Sequence, residues 1–92
     1  MADYRIFETE NFQDNLKRIR LAGSKTIQKK LESYVYPQLR EEPHFGSNIK
    51  KLRDFTPESW RYRIGDWRFF YEIDEEEHVV YMTAAHHRKE AY

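Results

Sequence analysis

Arg61, Arg63 and Arg68 flank a Gly65-Asp66 pair in the stretch Trp60-Arg61-Tyr62-Arg63-Ile64-Gly65-Asp66-Trp67-Arg68-Phe69-Phe70-Tyr71. Guanidinium groups hold phosphate oxygens through forked, charge-assisted hydrogen bonds. They also stabilise charge that builds on phosphorus during transfer. Arginine does not give up its proton in proteins, so proton transfer needs another group. Histidine serves that purpose near neutral pH, and His86 and His87 open the tail His86-His87-Arg88-Lys89-Glu90-Ala91-Tyr92. Tyr92 can orient or protonate a leaving oxygen. Phe70 offers a ring face to an unpaired base, a contact contributing about 1–3 kcal/mol in single-strand binders. Lys50, Lys51 and Arg53 extend the positive charge upstream. Together these residue types suit binding and cleavage of a phosphodiester chain. Plainer roles are open to the same residues. Strand arginines can be solvated or pair with Glu72 and the acidic turn. Paired histidines near a terminus can be a polar tail. Lys50, Lys51 and Arg53 can guard an edge strand against aggregation.

These side chains need a scaffold that brings them together. A two-residue turn with glycine fixes the register of a hairpin. With Gly65-Asp66 as the turn, Ile64 faces Trp67, Arg63 faces Arg68, Tyr62 faces Phe69 and Arg61 faces Phe70. Side chains alternate faces along a strand. Trp60, Tyr62, Ile64, Trp67, Phe69, Tyr71 and Ile73 then share one face, which reads as core. Arg61, Arg63, Arg68 and Phe70 share the other. Like charges directly opposed on a ladder are unfavourable unless neutralised, and a polyanion is the natural partner.

The rest of the chain supplies the support. Residues 3–8 read as a strand, and Thr9 as a helix N-cap. Phe12, Leu16 and Ile19 recur at helical spacing, and Gly23 ends that helix. Ser24 can cap a second helix with Ile27, Leu31, Tyr34 or Val35, and Leu39 as its apolar stripe. Pro37 ends or kinks it. The short link makes the two an antiparallel helical hairpin. Residues 40–48 read as a loop, 49–53 as a short strand and 55–59 as a connection. An acidic turn at Asp74 to Glu77 leads to a last strand over 78–84. If His78 lies opposite Asp74, His86 shares the face of Arg68, whereas a slip of one residue reverses this. The expected class is α+β: an N-terminal strand, a two-helix hairpin, then a twisted antiparallel sheet.

With 92 residues the chain is expected to be one domain, 1–92, with one core. Sixteen basic and sixteen acidic residues cancel, but charge acts locally, over roughly 8 Å at physiological salt. There is no cysteine, which excludes disulfides and Cys-based zinc sites. His44, His78, His86 and His87 show no metal-ligand spacing, so no metal and no cofactor are expected. No apolar run approaches the ~20 residues of a membrane-spanning helix, and the N-terminus does not read as a signal peptide. The cytoplasm is the expected location, with no membrane partner.

Lys51-Leu52, the segment from Trp60 to Ile73 and the ending His87-Arg88-Lys89-Glu90-Ala91-Tyr92 carry a family resemblance. The whole chain resembles the RelE/ParE superfamily of bacterial and archaeal toxins. The RelE branch resembles small microbial ribonucleases and cuts messenger RNA in the ribosomal A site. That resemblance implies metal-independent in-line attack of a 2′-hydroxyl on the adjacent phosphate. Arg61 and Arg63 stand where that branch has basic strand residues at the scissile phosphate. Arg68 matches the arginine that stabilises the transition state. His87 or Arg88 falls near another functional basic residue, and Tyr92 matches the tail tyrosine. Lys50, Lys51, Arg53, Phe70 and His86 are the expected RNA contacts. The implied partners are a cognate antitoxin, in a toxin–antitoxin hetero-oligomer, together with the ribosome and messenger RNA. The ParE branch shares the fold and inhibits DNA gyrase. An inert member that only binds its antitoxin is a third possibility.

Overall fold

The computed structural model describes residues 3–23, 25–53 and 58–87. Strand β1 (Arg5–Glu8) leads into helix α1 (Glu10–Leu21). A second helical segment runs through α2 (Ile27–Lys30), a π-helical turn (Leu31–Val35) and α3 (Tyr36–Glu41). Strands β2 (Ile49–Lys51), β3 (Trp60–Ile64), β4 (Trp67–Asp74) and β5 (Val79–His87) follow. They form one sheet in the order β1-β5-β4-β3-β2.

Thr9 caps α1: its hydroxyl accepts the Phe12 N–H at 3.2 Å. At the other end Gly23 adopts φ +105°, and its N–H reaches the Arg20 carbonyl at 3.0 Å. A Cβ would strain that backbone. The N-cap of α2 is Thr26, which makes no side-chain capping bond; Ser24 lies outside the described residues. Pro37 does not end the second helix. It sits in the first turn of α3, just after the π turn. Proline lacks an N–H and crowds the carbonyl four residues back. A locally widened turn is a known way for a helix to accommodate such a break.

The sheet is mixed rather than wholly antiparallel. β1 pairs parallel with β5, Arg5 opposite Val79 through Glu8 opposite Met82. β1 stops there, while β5 continues to His87. The N-cap Thr9 and side chains of α1 take over the backbone of β5 from the Met82 carbonyl onward. Thr9 Oγ1 donates to the Met82 carbonyl at 2.8 Å. Asn11 Nδ2 donates to the Thr83 carbonyl at 2.8 Å. Asn15 Oδ1 accepts the Ala85 N–H at 2.9 Å and is buried.

Between sheet and helices lies one core, with Phe12, Leu16, Ile19, Ile27, Leu31 and Leu39 meeting the inward residues of the strands. Phe12 and Phe69 have no exposed surface, and truncating such a ring typically costs about 3–5 kcal/mol. Tyr71 is buried and donates its hydroxyl to the Pro43 carbonyl at 2.7 Å, tying the loop after α3 to β4. Burial raises the Tyr71 phenol pKa. A polar corner sits beside this loop. His44 Nδ1 lies 2.8 Å from Glu42 Oε2 and its Nε2 lies 2.6 Å from Glu75 Oε2. Tyr4 donates to Glu75 at 3.0 Å and stacks on His78. Desolvation pulls the His44 pKa down, but its bonds to Glu75 and Glu42 outweigh this and raise it. Those same bonds lower the pKa of Glu42 and of Glu75. No helix among the described residues is long and apolar enough to cross a membrane.

Candidate nucleic-acid interface

The helices cover one sheet face, leaving the arginine face on the other side. Each hairpin pair forms as expected, Ile64 opposite Trp67 through Trp60 opposite Tyr71. Gly65 takes φ +56° at the turn. Opposed residues in neighbouring strands share a face, which arranges the outer side chains in rows. The first row is Arg63, Arg68 and His86. The second is Lys50, Arg61, Phe70 and Ala84. With strands about 4.8 Å apart, each row crosses roughly 10–15 Å. Glu72 and Tyr81 begin the next row, so negative charge returns toward the acidic turn.

The position of His86 depends on an irregularity. Asp74 faces Val79 and Tyr71 faces Met82, yet Phe70 faces Ala84. A bulge at Thr83 therefore adds one residue to β5. Without it the ladder begun at Asp74–Val79 would turn His86 inward. With it, His86 stands opposite Arg68 and His87 stands opposite Trp67. The His86 ring meets Phe70 edge to face, centroids 5.4 Å apart at 81°. The His87 ring packs against Trp67 on the other face, centroids 4.7 Å apart. The register thus brings His86 to the arginines and carries His87 away from them.

The lysines divide in the same manner. Lys50 faces Arg61 on the outer side. Lys51 faces Trp60 on the helix side, with Nζ 2.8 Å from Glu58 Oε2 and 5.7 Å from the Trp60 ring centroid. Arg53 is exposed beyond the end of β2. Arg88 and Tyr92 lie outside the described residues. Among the described residues, no carboxylate lies within ion-pair distance of Arg61, Arg63 or Arg68. Arg61 Nε is buried with no hydrogen-bond partner. Buried donors are normally paired, so this guanidinium nitrogen leaves room for an acceptor. Sequence reasoning missed Asn15, whose polar side chain on an apolar helical face was its only signal.

A family profile described as ParE toxin of type II toxin-antitoxin system, parDE, matches residues 5–92. The chain belongs to the ParE toxin family. It is therefore a toxin of a type II toxin–antitoxin system, within the RelE/ParE superfamily. Solved structures agree on the fold of this ParE-family chain. The RelBE2 toxin–antitoxin complex of Mycobacterium tuberculosis matches with TM-score 0.79 at 24% identity, over 96% of this chain and 94% of that one. The archaeal RelE–RelB complex of Pyrococcus horikoshii gives 0.69 at 21% identity, over 96% and 97%. An arginine-substituted mutant of E. coli RelE in the free state gives 0.66 at 25% identity, over 97% and 86%. No curated protein sequence matches the chain.

Proposed function

We propose that this ParE-family toxin is a metal-independent endoribonuclease that cuts ribosome-bound messenger RNA and so inhibits translation. The observation that carries the reading is the row Arg63–Arg68–His86, arginines with no carboxylate partner among the described residues beside a group able to move a proton. In the proposed reaction the 2′-oxygen bonds to the adjacent phosphorus as the bond to the 5′-oxygen breaks. His86 exchanges the proton at one of these oxygens, and Tyr92 is the candidate for the other, with Arg88 adding positive charge beside them. Arg61, Arg63 and Arg68 hold the phosphate, and Arg68 stabilises the transition-state charge. Phe70 stacks a base, and Lys50 and Arg53 extend the contact along the strand. An antitoxin with an acidic or amphipathic segment is the expected partner, as in the complexes of the structural neighbours. A second reading, inhibition of DNA gyrase, is favoured by the ParE family match.

One experiment separates them. Purified toxin is added to a cell-free translation reaction, and messenger RNA 5′ ends are mapped with and without ribosomes. Cuts that need ribosomes and fall about 10²–10³-fold in Arg68→Ala support the nuclease reading. Intact messenger RNA alongside blocked gyrase supercoiling selects the second. Cleavage at full rate by Arg68→Ala removes the arginine from the chemistry.

A further inference from the structure

The chain is neutral overall, but not along its length. Between Asp14 and Glu32 it holds six cations, Lys17, Arg18, Arg20, Lys25, Lys29 and Lys30, and no acidic residue. The fold gathers them at one end of the helical pair, where the last turns of α1 meet the start of α2. Arg18 and Arg20 suit a helix C-terminus, where cations complement the dipole. Lys25, Lys29 and Lys30 do the opposite. They crowd the start of the helical segment 27–41, whose first turn has no acidic residue. Cations there oppose the helix dipole and repel one another. Among the described residues none of these three lysines has a carboxylate within ion-pair distance. Beside them opens a cleft of about 290 Å³ lined by Thr26, Lys29, Lys30, Ser33 and Tyr34.

A local cost with no local compensation points to an external counter-charge. We infer that this end of the helical pair docks the phosphate backbone of duplex RNA. The inference rests on the reading that the toxin works on ribosome-bound messenger RNA, and names structured RNA as a second contact on the opposite side of the molecule from the arginine rows. Duplex fits better than single strand, because the patch offers lysines on and just before a helix and, among the described residues at this end, one exposed ring, Tyr34 at 58%. Duplex RNA is recognised through backbone and shape, whereas single strands are held on stacked aromatics. A lipid surface fits less well. Surface-lying helices present an apolar stripe, and Leu21 and Tyr34 are the exposed large hydrophobic residues at this end.

The test uses the full chain and a labelled RNA hairpin, with affinity followed from 50 to 200 mM salt. Each phosphate contact contributes about 0.9 to the slope of log affinity against log salt on a duplex. Wild type should therefore gain about 40-fold more than Lys25→Glu/Lys29→Glu/Lys30→Glu over that fourfold dilution, if three contacts are lost. A Lys→Gln version, whose melting temperature should be no lower than wild type because the opposing charges are removed, guards against misfolding and should lose most of the same slope. Arg61→Ala and Arg68→Ala should lose cleavage while the lysine-dependent part of the salt slope stays in place. Equal affinity and slope in wild type and the lysine variants overturns the inference. So does wild-type binding to phosphatidylserine vesicles in preference to the hairpin. Loss of hairpin binding in the lysine variants while messenger RNA stays intact in every protein would retire the nuclease reading and leave this surface standing.

Discussion

The outer sheet face sets Arg63 against Arg68 and Lys50 against Arg61 in directly opposed positions. Each like-charge pair is expected to destabilise the free protein by about 0.2–1 kcal/mol. In a domain of this size, 1 kcal/mol corresponds to about 4–8 °C in melting temperature. Arg68→Gln removes one pair while keeping most of the side-chain length. It should melt about 1–8 °C higher than wild type at low salt, and screening should narrow the gap as salt rises. A short DNA oligomer, lacking the 2′-hydroxyl needed for cleavage, should reverse the order. A ligand at a hundred times its dissociation constant stabilises by about 2.7 kcal/mol. Wild type should then rise by roughly 11–22 °C and Arg68→Gln by much less. The assay is thermal unfolding followed by circular dichroism across salt and oligomer concentrations. A less stable Arg68→Gln that gains as much from the oligomer as wild type would refute the reasoning. It would mean that these arginines are held by the fold rather than by an anion.

Two further outcomes concern the scaffold. Asn15→Ala strands the Ala85 N–H and should cost about 1–3 kcal/mol, with Asn11→Ala, whose bond to the Thr83 carbonyl is exposed, costing less than half as much; comparable melting temperatures for the two variants would contradict this. The raised His44 pKa means that its contribution is full below the ordinary histidine value and fades as pH rises through its own. Glu42 and Glu75, with lowered pKa values, contribute above the ordinary carboxylate range and lose this as pH falls. The stability gap between wild type and His44→Asn should therefore be widest at about pH 5–6.5 and shrink above it, as melting curves at stepped pH would show; a gap independent of pH counts against the ion-pair account.

Local physics made much of the molecule legible in the sequence. The Gly-Asp turn and the alternation around it specified every pair of the β3–β4 hairpin, and with them the arginine face. Thr9 and the Phe12-Leu16-Ile19 stripe placed α1. Non-local pairing was less readable. Nothing in Arg5–Glu8 marks it as a parallel partner of β5 rather than an antiparallel one. The helix continued past Pro37 because packing of Leu39 in the core favours continuation, a tertiary effect that overrides a local breaker. The last strand was longer than expected. His86 and His87 read as tail because polar residues near a terminus carry no periodic signal. Which of them joins Arg68 turned on a bulge, and Ala84-Ala85 disguises it by fitting either face.

That disguise has a consequence for how specificity of chemistry is stored in this fold. If β5 slid back by one residue beyond Met82, Phe69 would meet Ala84 instead of Ala85, and Trp67 would meet His86 instead of His87. The inward side would exchange alanine for alanine and histidine for histidine. Hydrophobic packing is nearly blind to the difference. On the outside the exchange is total: Arg68 would look across at a methyl group rather than an imidazole. The phase of the strand is thus fixed by a polar lock, Asn15 on the Ala85 N–H with Thr9 and Asn11 on the preceding carbonyls. One buried amide on a helix, out of contact with any ligand on the far face, selects which histidine the arginines see.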